Sequence, residues 1–518
     1  MLKERERLVG IVIRQSFKAS VSNYVGIGIG FISLFFLFPY FFTPEQFGAI
    51  RLIIELSAVL SGFALMGTNY SINKYFTYFK NDSNGHNGFF FYSLLAPALG
   101  LILVFGALFI FKTDLLRLFN AKSDLITNDL IYVLGGLTLT TVCLTILEVS
   151  SANFGRIAKP YLIREVIQRI GIISIAFLFY LDILNFTACT WGIVGIYSLS
   201  VLLNIYFFRK LGKLSLKPNH GFYLKNKPLF KDMTKYTAFL FFGGVSGLFI
   251  NKIDFVMVSH IKSLDYTAIY TVAFYLASFI EIPRRSMSLI LTPIISEHIK
   301  NNNLKELSNL YKRSSITQLF MGTFLFFTIW LNLDTFYEIM PKGEIYRTGK
   351  YVVLIIGIGK LIDLSTGAAS PIIATSKFYP VAFISFILGA TIGIAGNVIL
   401  IPIYGINGAA IATSLTFLMI MILVTIVIKK YFKMIPYTKN HFKLFLISLL
   451  FFSTPFIGDW FSNPLLDSVI KSSLMLPLFF ATLLKFKISE DINQQSLAFV
   501  QKFKFLGFLE PLMVKLTK

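Results

Sequence analysis

The sequence predicts an all-α polytopic membrane protein with about fourteen transmembrane helices, arranged as two parallel-repeat six-helix lobes plus two extra C-terminal helices. Three observations carry this expectation. The 518 residues are 55% hydrophobic and only 14% charged, with a mean hydropathy of +0.70, a composition that a water-soluble globule does not have. Apolar runs long enough to cross a hydrocarbon core about 30 Å thick, roughly 20 residues each, follow one another almost without pause. Short motifs in the first part of the chain also recur in the second.

The expected spans lie near 19–42, 47–70, 89–112, 127–149, 160–181, 187–208, 236–259, 266–296, 316–337, 350–376, 378–402, 406–430, 442–459 and 467–485. A transmembrane barrel would instead show alternating segments of about ten residues. The runs here are too long and too evenly apolar for that. The first run also has the length of a retained helix rather than of a cleaved leader, and it follows a charged amphipathic stretch, MLKERERLVGIVIRQSFKAS.

The net charge of +22 does not point to nucleic acid, because of where it falls. With a cytoplasmic N-terminus, the inward loops hold most of the 48 basic residues, eight of them between 209 and 236. The outward loops hold Lys112, Arg117, Lys122, Lys262, Lys342, Arg347 and Lys350. This asymmetry predicts both termini in the cytoplasm. Cys143 and Cys189 fall inside expected helices and suggest neither a disulfide framework nor a metal site. The five histidines lack metalloprotease spacing, and no metal is expected.

Four weak matches recur in the same order at a separation of roughly 215 residues, as an internal repeat would. Gly26-x-x-x-Gly30 is echoed by Gly243-x-x-x-Gly247, and Phe47-Gly48-Ala49-Ile50 by Tyr266-Thr267-Ala268-Ile269. Lys159-Pro160-Tyr161 is echoed by Lys377-Phe378-Tyr379, and Gly192-Ile193-x-Gly195 by Gly405-Ile406-x-Gly408. The expected organisation is an N-terminal lobe 1–208, a basic cytoplasmic linker 209–235, a C-terminal lobe 236–431, helices thirteen and fourteen over 432–485, and a cytoplasmic amphipathic tail 486–518. Six spans return the chain to its starting side, so the repeats are parallel. In the tail, Lys502, Lys504 and Lys515 alternate with aromatics and leucines, as in a helix lying at a membrane surface.

Seven basic residues fall inside expected spans: Arg51, Arg169, Lys252, Arg284, Arg285, Lys360 and Lys471. A charge at the bilayer centre costs about 2.5–3.5 kcal/mol on insertion scales, so these side chains should face protein or water. Four carboxylates lie near several of them. Arg51 and Glu55 are spaced i,i+4, Glu281 is i,i+3 to Arg284 and i,i+4 to Arg285, and Lys360 and Asp363 are i,i+3, so each pair can share a helix face. Neutralisation within these pairs competes with ligand binding as their purpose. Counted at about 1.5 Å per residue, Arg284 and Arg285 lie near mid-depth in the eighth helix. Pro283 should loosen the helix just before them. Pro402 and Gly405 should form a short turn between helices eleven and twelve, with Gly408-Ala409-Ala410 allowing close packing.

IPIYGINGAAIAT, residues 401–413, resembles the proline–tyrosine–glycine–x–x–glycine–alanine–alanine signature of the oligosaccharide-lipid flippases, in the superfamily shared with the multidrug and toxic-compound extruders. TPEQFGAIRLIIELSAVLSGFALMGTNYSINKYF resembles that family's first outer loop and second helix. NKIDFVMVSHIKSLDYTAIYTVAFYLASF resembles its seventh and eighth helices, and LTPIISEH the end of the eighth. The resemblance spans roughly residues 10–430. Thr267 departs from it, standing where the family commonly has glycine.

The resemblance implies a transporter, not an enzyme, that moves a polyprenyl-diphosphate oligosaccharide from the cytoplasmic to the outer leaflet of the plasma membrane. It implies surface polysaccharide biosynthesis, such as O-antigen or lipopolysaccharide, with the lipid bilayer, a polysaccharide polymerase and glycosyltransferases as partners. Such cargo calls for a hydrated cationic cavity, for which Arg51, Lys252, Arg284, Arg285 and Lys360 are the headgroup candidates; arginine's fork suits phosphate oxygens. Glu55, Asp254, Glu281 and Asp363 are the charge-pair or ion-coupling candidates. Asp254 matches the family's acidic position in helix seven, where it would take a proton or a sodium ion or pair with Lys252. No other cofactor is expected, and the chain has no G-x-x-x-x-G-K-[ST] loop for ATP. Other readings are a lipid II flippase, a multidrug extruder, for which an acidic cavity would be expected, and a membrane glycan polymerase or glycosyltransferase.

Overall fold

The computed structural model describes residues 2–81, 84–120, 125, 128–211, 217–454, 460–502 and 510–517. Every regular element among them is helical. The chain divides into two compact units, Met1–Ala268 and Ile269–Lys518.

In the first unit, α1 (Leu2–Ile32) runs through a π turn at Ser33–Leu37 to Phe41, and α2 (Pro44–Leu65) follows after a two-residue break. That break is chemically specified. Thr43 and Gln46 form a reciprocal capping box at 3.0 and 3.2 Å, and Pro44 occupies the first helical position, where an amide proton is not needed. Met66 and Gly67 then end α2 in left-handed conformations. The chain continues as α3 (Thr68–Phe79), α4 (Phe89–Ile110), α5 (Lys112–Asn120), α6 (Asn128–Asn153), α7 (Gln168–Tyr180), α8 (Phe186–Arg209) and α9 (Lys227–Ile261). A short helix and a second π turn, Ile163–Ile167, precede α7.

The glycine pair of α1 has a concrete role. A Cβ on Gly30 would overlap the Arg169 guanidinium, and one on Gly26 would meet the Glu165 side chain and carbonyl. The bare face thus accepts charged side chains from the second π turn and α7. At one end of the unit, Phe76, Phe79, Phe89, Phe90 and Phe154 form a nest of rings around the buried His86.

In the second unit, α10 (Leu264–Ser278), whose first turns belong to the first unit, leads through a 3₁₀ turn at Phe279–Glu281 into α11 (Ile282–Lys300). The expected eighth helix is therefore two helices. Pro283 sits in the first turn of α11, where its missing N–H breaks no intrahelical bond. Next come α12 (Leu304–Leu331) and α13 (Lys350–Leu364), which is bent by 51° from α14 (Ala369–Thr375).

The hairpin α15 (Tyr379–Tyr404) to α16 (Ile406–Phe432) turns at one residue. The sequence suggested a turn including Pro402, but α15 continues through it and Gly405 alone makes the break, at φ 62° and ψ −138°. Only glycine adopts that region readily. Gly408 lies so close to the Leu400 carbonyl that no Cβ would fit.

The last spans, α17 (Lys439–Phe452) and α18 (Pro464–Lys485), pack on α12 through Phe320, Phe327, Phe451, Phe479 and Leu483. The tail folds as α19 (Glu490–Lys502) and α20 (Glu510–Thr517). A Thr317–Ser489 hydrogen bond at 2.9 Å and an Arg313–Asp491 ion pair tie the start of this tail to α12. Lys504 lies outside the described residues.

Among the described residues, nine helices are long and apolar enough to cross a membrane, and the bent α13–α14 pair makes ten. The remaining expected spans, 160–181, 236–259, 266–296 and 442–459, are also helical where described, three of them interrupted or shortened. Large apolar side chains such as Ile102, Phe109, Leu449 and Leu450 remain exposed, as lipid-facing residues would.

Candidate functional site

Each unit contains a cluster in which a carboxylate is held between two cations. In the first, Glu55 of α2 is 1% exposed. It accepts an ion pair from Arg51, one helical turn earlier, and a second at 2.5 Å from the Lys252 ammonium of α9. The sequence allowed Lys252 to pair with Asp254 instead. Residues two apart on a helix point in nearly opposite directions, and Lys252 turns to Glu55. Asp254 is itself buried, at 1% exposure.

The second cluster is built on the break between α10 and α11. Glu281, in the 3₁₀ turn, accepts from the Lys360 ammonium of α13 at 2.5 Å and from Arg285 of α11 at 3.2 Å. Arg284 turns the other way, pairing with Asp363 of α13 and reaching Ser370 Oγ at 3.5 Å. The Lys360 ammonium also lies 4.6 Å from the centre of the Phe417 ring and 5.4 Å from that of Phe274, positions in which the ring faces attract a cation.

These contacts replace some same-helix pairings suggested by spacing. The i,i+4 pair Glu281–Arg285 forms, whereas Lys360 and Arg284 take partners across helices. The packing of α13 against the α10–α11 junction brings Lys360 to Glu281 and Asp363 to Arg284.

Lys360 and Glu55 are enclosed, whereas the Arg285 side chain is 74% exposed. Deleting one member of a buried ion pair costs about 3–5 kcal/mol because its partner is left uncompensated. The enclosed charges therefore hold helices together. Arg285 keeps donors free to meet an anion from outside the protein.

For Arg169 and Lys471, two of the cations that the sequence places inside spans, the acidic partners were not foreseen. Around Glu165, Arg169 binds at 2.6 Å and also donates to the Gly26 carbonyl at 2.8 Å. Arg164 spans Glu165 at 3.1 Å and Glu148 at 2.8 Å. The i,i+4 spacing of Glu165 and Arg169 was a visible signal. In the second unit, Lys471 pairs with Asp467 at 2.5 Å, and Asp467 accepts the backbone N–H groups of Trp460 and Phe461. Among the described residues, no group of three His, Cys, Asp or Glu side chains could hold a metal ion.

A helical membrane protein of two units, with buried charge clusters and broken spans, has the build of a carrier rather than of a simple anchor. Residues 12–297 match the family model described as polysaccharide biosynthesis protein, and residues 240–399 match the MatE model. The first match covers more than half of the chain, and the chain belongs to that family, the oligosaccharide-lipid flippases of the exporter superfamily that includes the multidrug extruders.

Solved structures agree on the fold. A lipid II flippase, MurJ, in an inward closed conformation superposes with a TM-score of 0.66 at 15% identity, covering 92% of this chain and 100% of that one. An inward-facing multidrug resistance transporter of the MATE family superposes with a TM-score of 0.58 at 12% identity, covering 80% of this chain and 94% of the other. No curated protein matches the sequence.

Proposed function

We propose that this multi-pass membrane transporter flips a polyprenyl-diphosphate-linked oligosaccharide from the cytoplasmic to the outer leaflet of the plasma membrane, by alternating access of its two lobes. The observation that carries this reading is the Arg285 guanidinium, 74% exposed beside the enclosed Glu281–Lys360 pair. A diphosphate is the costly part of such a lipid in hydrocarbon, and guanidinium and ammonium groups replace its lost hydration with charge-assisted hydrogen bonds. Arg285, with Arg284 and Lys360 behind it, makes the first contact, and Arg51 and Lys252 form a second. Glu55, Glu281 and Asp363 act as internal counter-ions that hold these cations when cargo is absent.

In this reading both termini are cytoplasmic, as the loop charges favour. Asp254 takes the coupling ion, a proton or sodium. The cargo comes from glycosyltransferases and passes to a polysaccharide polymerase, with O-antigen one such product. A lipid II cargo presents the same diphosphate, and the superposition over the whole length of a lipid II flippase favours it as the second reading.

The test is translocation of labelled polyprenyl-diphosphate oligosaccharides and lipid II in proteoliposomes. Transport of the first, abolished in Arg284→Ala/Arg285→Ala, is the expected result. Preference for lipid II would select the second reading. Movement of neither, in folded protein under several ion gradients, would reject both.

A further inference from the structure

The first unit contains a cavity of about 560 Å³ that neither charge cluster uses. It lies against Leu56, Leu60 and Phe63 of α2 and Leu103 and Ala107 of α4, with Phe111 at one end. Its walls are hydrocarbon apart from Asp114 at that same end. Buried water needs two to four polar partners, so this space is dry. Leu103 and Phe111 are more than half exposed, which opens the space toward the lipid-facing surface rather than toward water. From Gly100 to Phe111 the cavity follows α4 for about 16 Å at the helical rise. That is roughly half of a hydrocarbon core of about 30 Å, the depth of one leaflet.

We infer that this cavity binds the isoprenoid chain of the cargo. The inference rests on the flippase reading above and gives that site its second half. The volume spread over that length leaves a cross-section wider than a straight alkyl chain fills, with room for methyl branches beside the small side chain of Ala107. Its position relative to the charges fits the same ligand. Leu56 directly follows Glu55 on α2, and α9, which supplies Lys252, also supplies Phe241 to the cavity wall. The same two helices therefore present cations on one side and an apolar trough on the next. A lipid with a diphosphate head and a branched tail can engage both, whereas a hydrophilic solute cannot.

The test uses the full-length protein in proteoliposomes with two photoreactive probes, a diazirine polyprenyl diphosphate and a phospholipid carrying the diazirine on an acyl chain. Crosslinks are mapped by mass spectrometry. The expected result is labelling of residues 100–111 by the prenyl probe, reduced at least five-fold by excess unlabelled prenyl diphosphate in the native protein and by Ala107→Trp. Gly106→Leu, on the same helix with open space around it and outside the cavity wall, should label as native. Equal labelling by the acyl probe, or prenyl labelling that neither competitor nor Ala107→Trp reduces, overturns the inference. The competition arm needs no variant and stands even if Ala107→Trp does not fold. Glycolipid translocation is followed in the same vesicles. Translocation without labelling overturns the cavity assignment alone, and specific labelling without translocation overturns the flippase reading alone.

Discussion

Lys360 and Glu281 meet at 2.5 Å across 79 residues of sequence, and the contact joins α13 to the break between α10 and α11. Lys360 is 1% exposed, so its charge depends on that carboxylate. Lys360→Met should lower the thermal midpoint in detergent, because Glu281 loses its nearest cation, consistent with about 3–5 kcal/mol for a broken buried pair. Lys360→Met/Glu281→Leu should recover most of the loss. A double variant no more stable than the single one would show that the pair does not hold these helices.

Arg285 should behave differently. Its side chain is 74% exposed, and exposed ion pairs contribute about 0–1 kcal/mol. Arg285→Ala should keep the native thermal midpoint and yet slow transport of a diphosphate-linked cargo about tenfold, equivalent to about 1.4 kcal/mol. Proteoliposome transport set beside thermal unfolding separates the two effects. Unchanged transport would remove Arg285 from the headgroup site.

Glu55→Gln should have the opposite effect on binding. It removes the carboxylate to which both Arg51 and Lys252 donate and so raises the positive charge of that cluster by one. Tighter binding of a soluble prenyl diphosphate, with slower turnover because release is harder, is the expected pair of results. Weaker binding in a correctly inserted variant would mean that Glu55 organises the site rather than competing for it.

Acid should loosen the second unit through His441, which falls in the expected inward loop 429–443 and sits in the first turn of α17. Its Nδ1 accepts the Thr438 N–H at 3.1 Å, which leaves Nε2–H to donate to Ser315 Oγ at 2.9 Å. Burial holds the imidazole well below its ordinary value, at about 4. The unfolded chain therefore binds a proton that the folded chain refuses between about 6.5 and 4, so stability is full above 6.5 and falls as pH drops through that window. The thermal midpoint of the native protein should fall more steeply there than that of His441→Gln. Parallel pH profiles would exclude His441 as the cause.

The α15–α16 hairpin gives a backbone test. Gly405→Ala forces a side chain into a conformation at φ 62°, ψ −138°, which costs about 1–3 kcal/mol. Reduced accumulation of folded protein in the membrane is expected, measured by fluorescence-detected size exclusion. Native accumulation would show that the turn relaxes to another geometry.

Helices were legible in the sequence because an apolar run of about twenty residues has few other solutions. Same-helix pairs such as Arg51–Glu55 and Glu281–Arg285 were legible for a similar reason, since helical spacing alone places them together. Cross-helix partners were not. Lys252 could meet Asp254 or Glu55, and Lys360 could meet Asp363 or Glu281, and the choice depends on packing registers that spacing does not encode. The 3₁₀ turn at Phe279–Glu281 was only half visible. Pro283 signalled a perturbation, while the full break emerges from tertiary packing.

The π turn at Ile163–Ile167 carries a consequence for chain length. Such a turn holds one residue more than the α-helical repeat requires, so a one-residue deletion inside it can be absorbed by closing the turn to regular helix, leaving α7 facing as before. The deletion would swing Arg164 and Glu165 by about 100° relative to α7. Glu165 would then no longer lie opposite Gly26. A homologue one residue shorter at this point should therefore have gained a side chain at the position of Gly26, because the Glu165 side chain that keeps that part of α1 bare would have turned away, while Gly30 stays opposite Arg169 of α7.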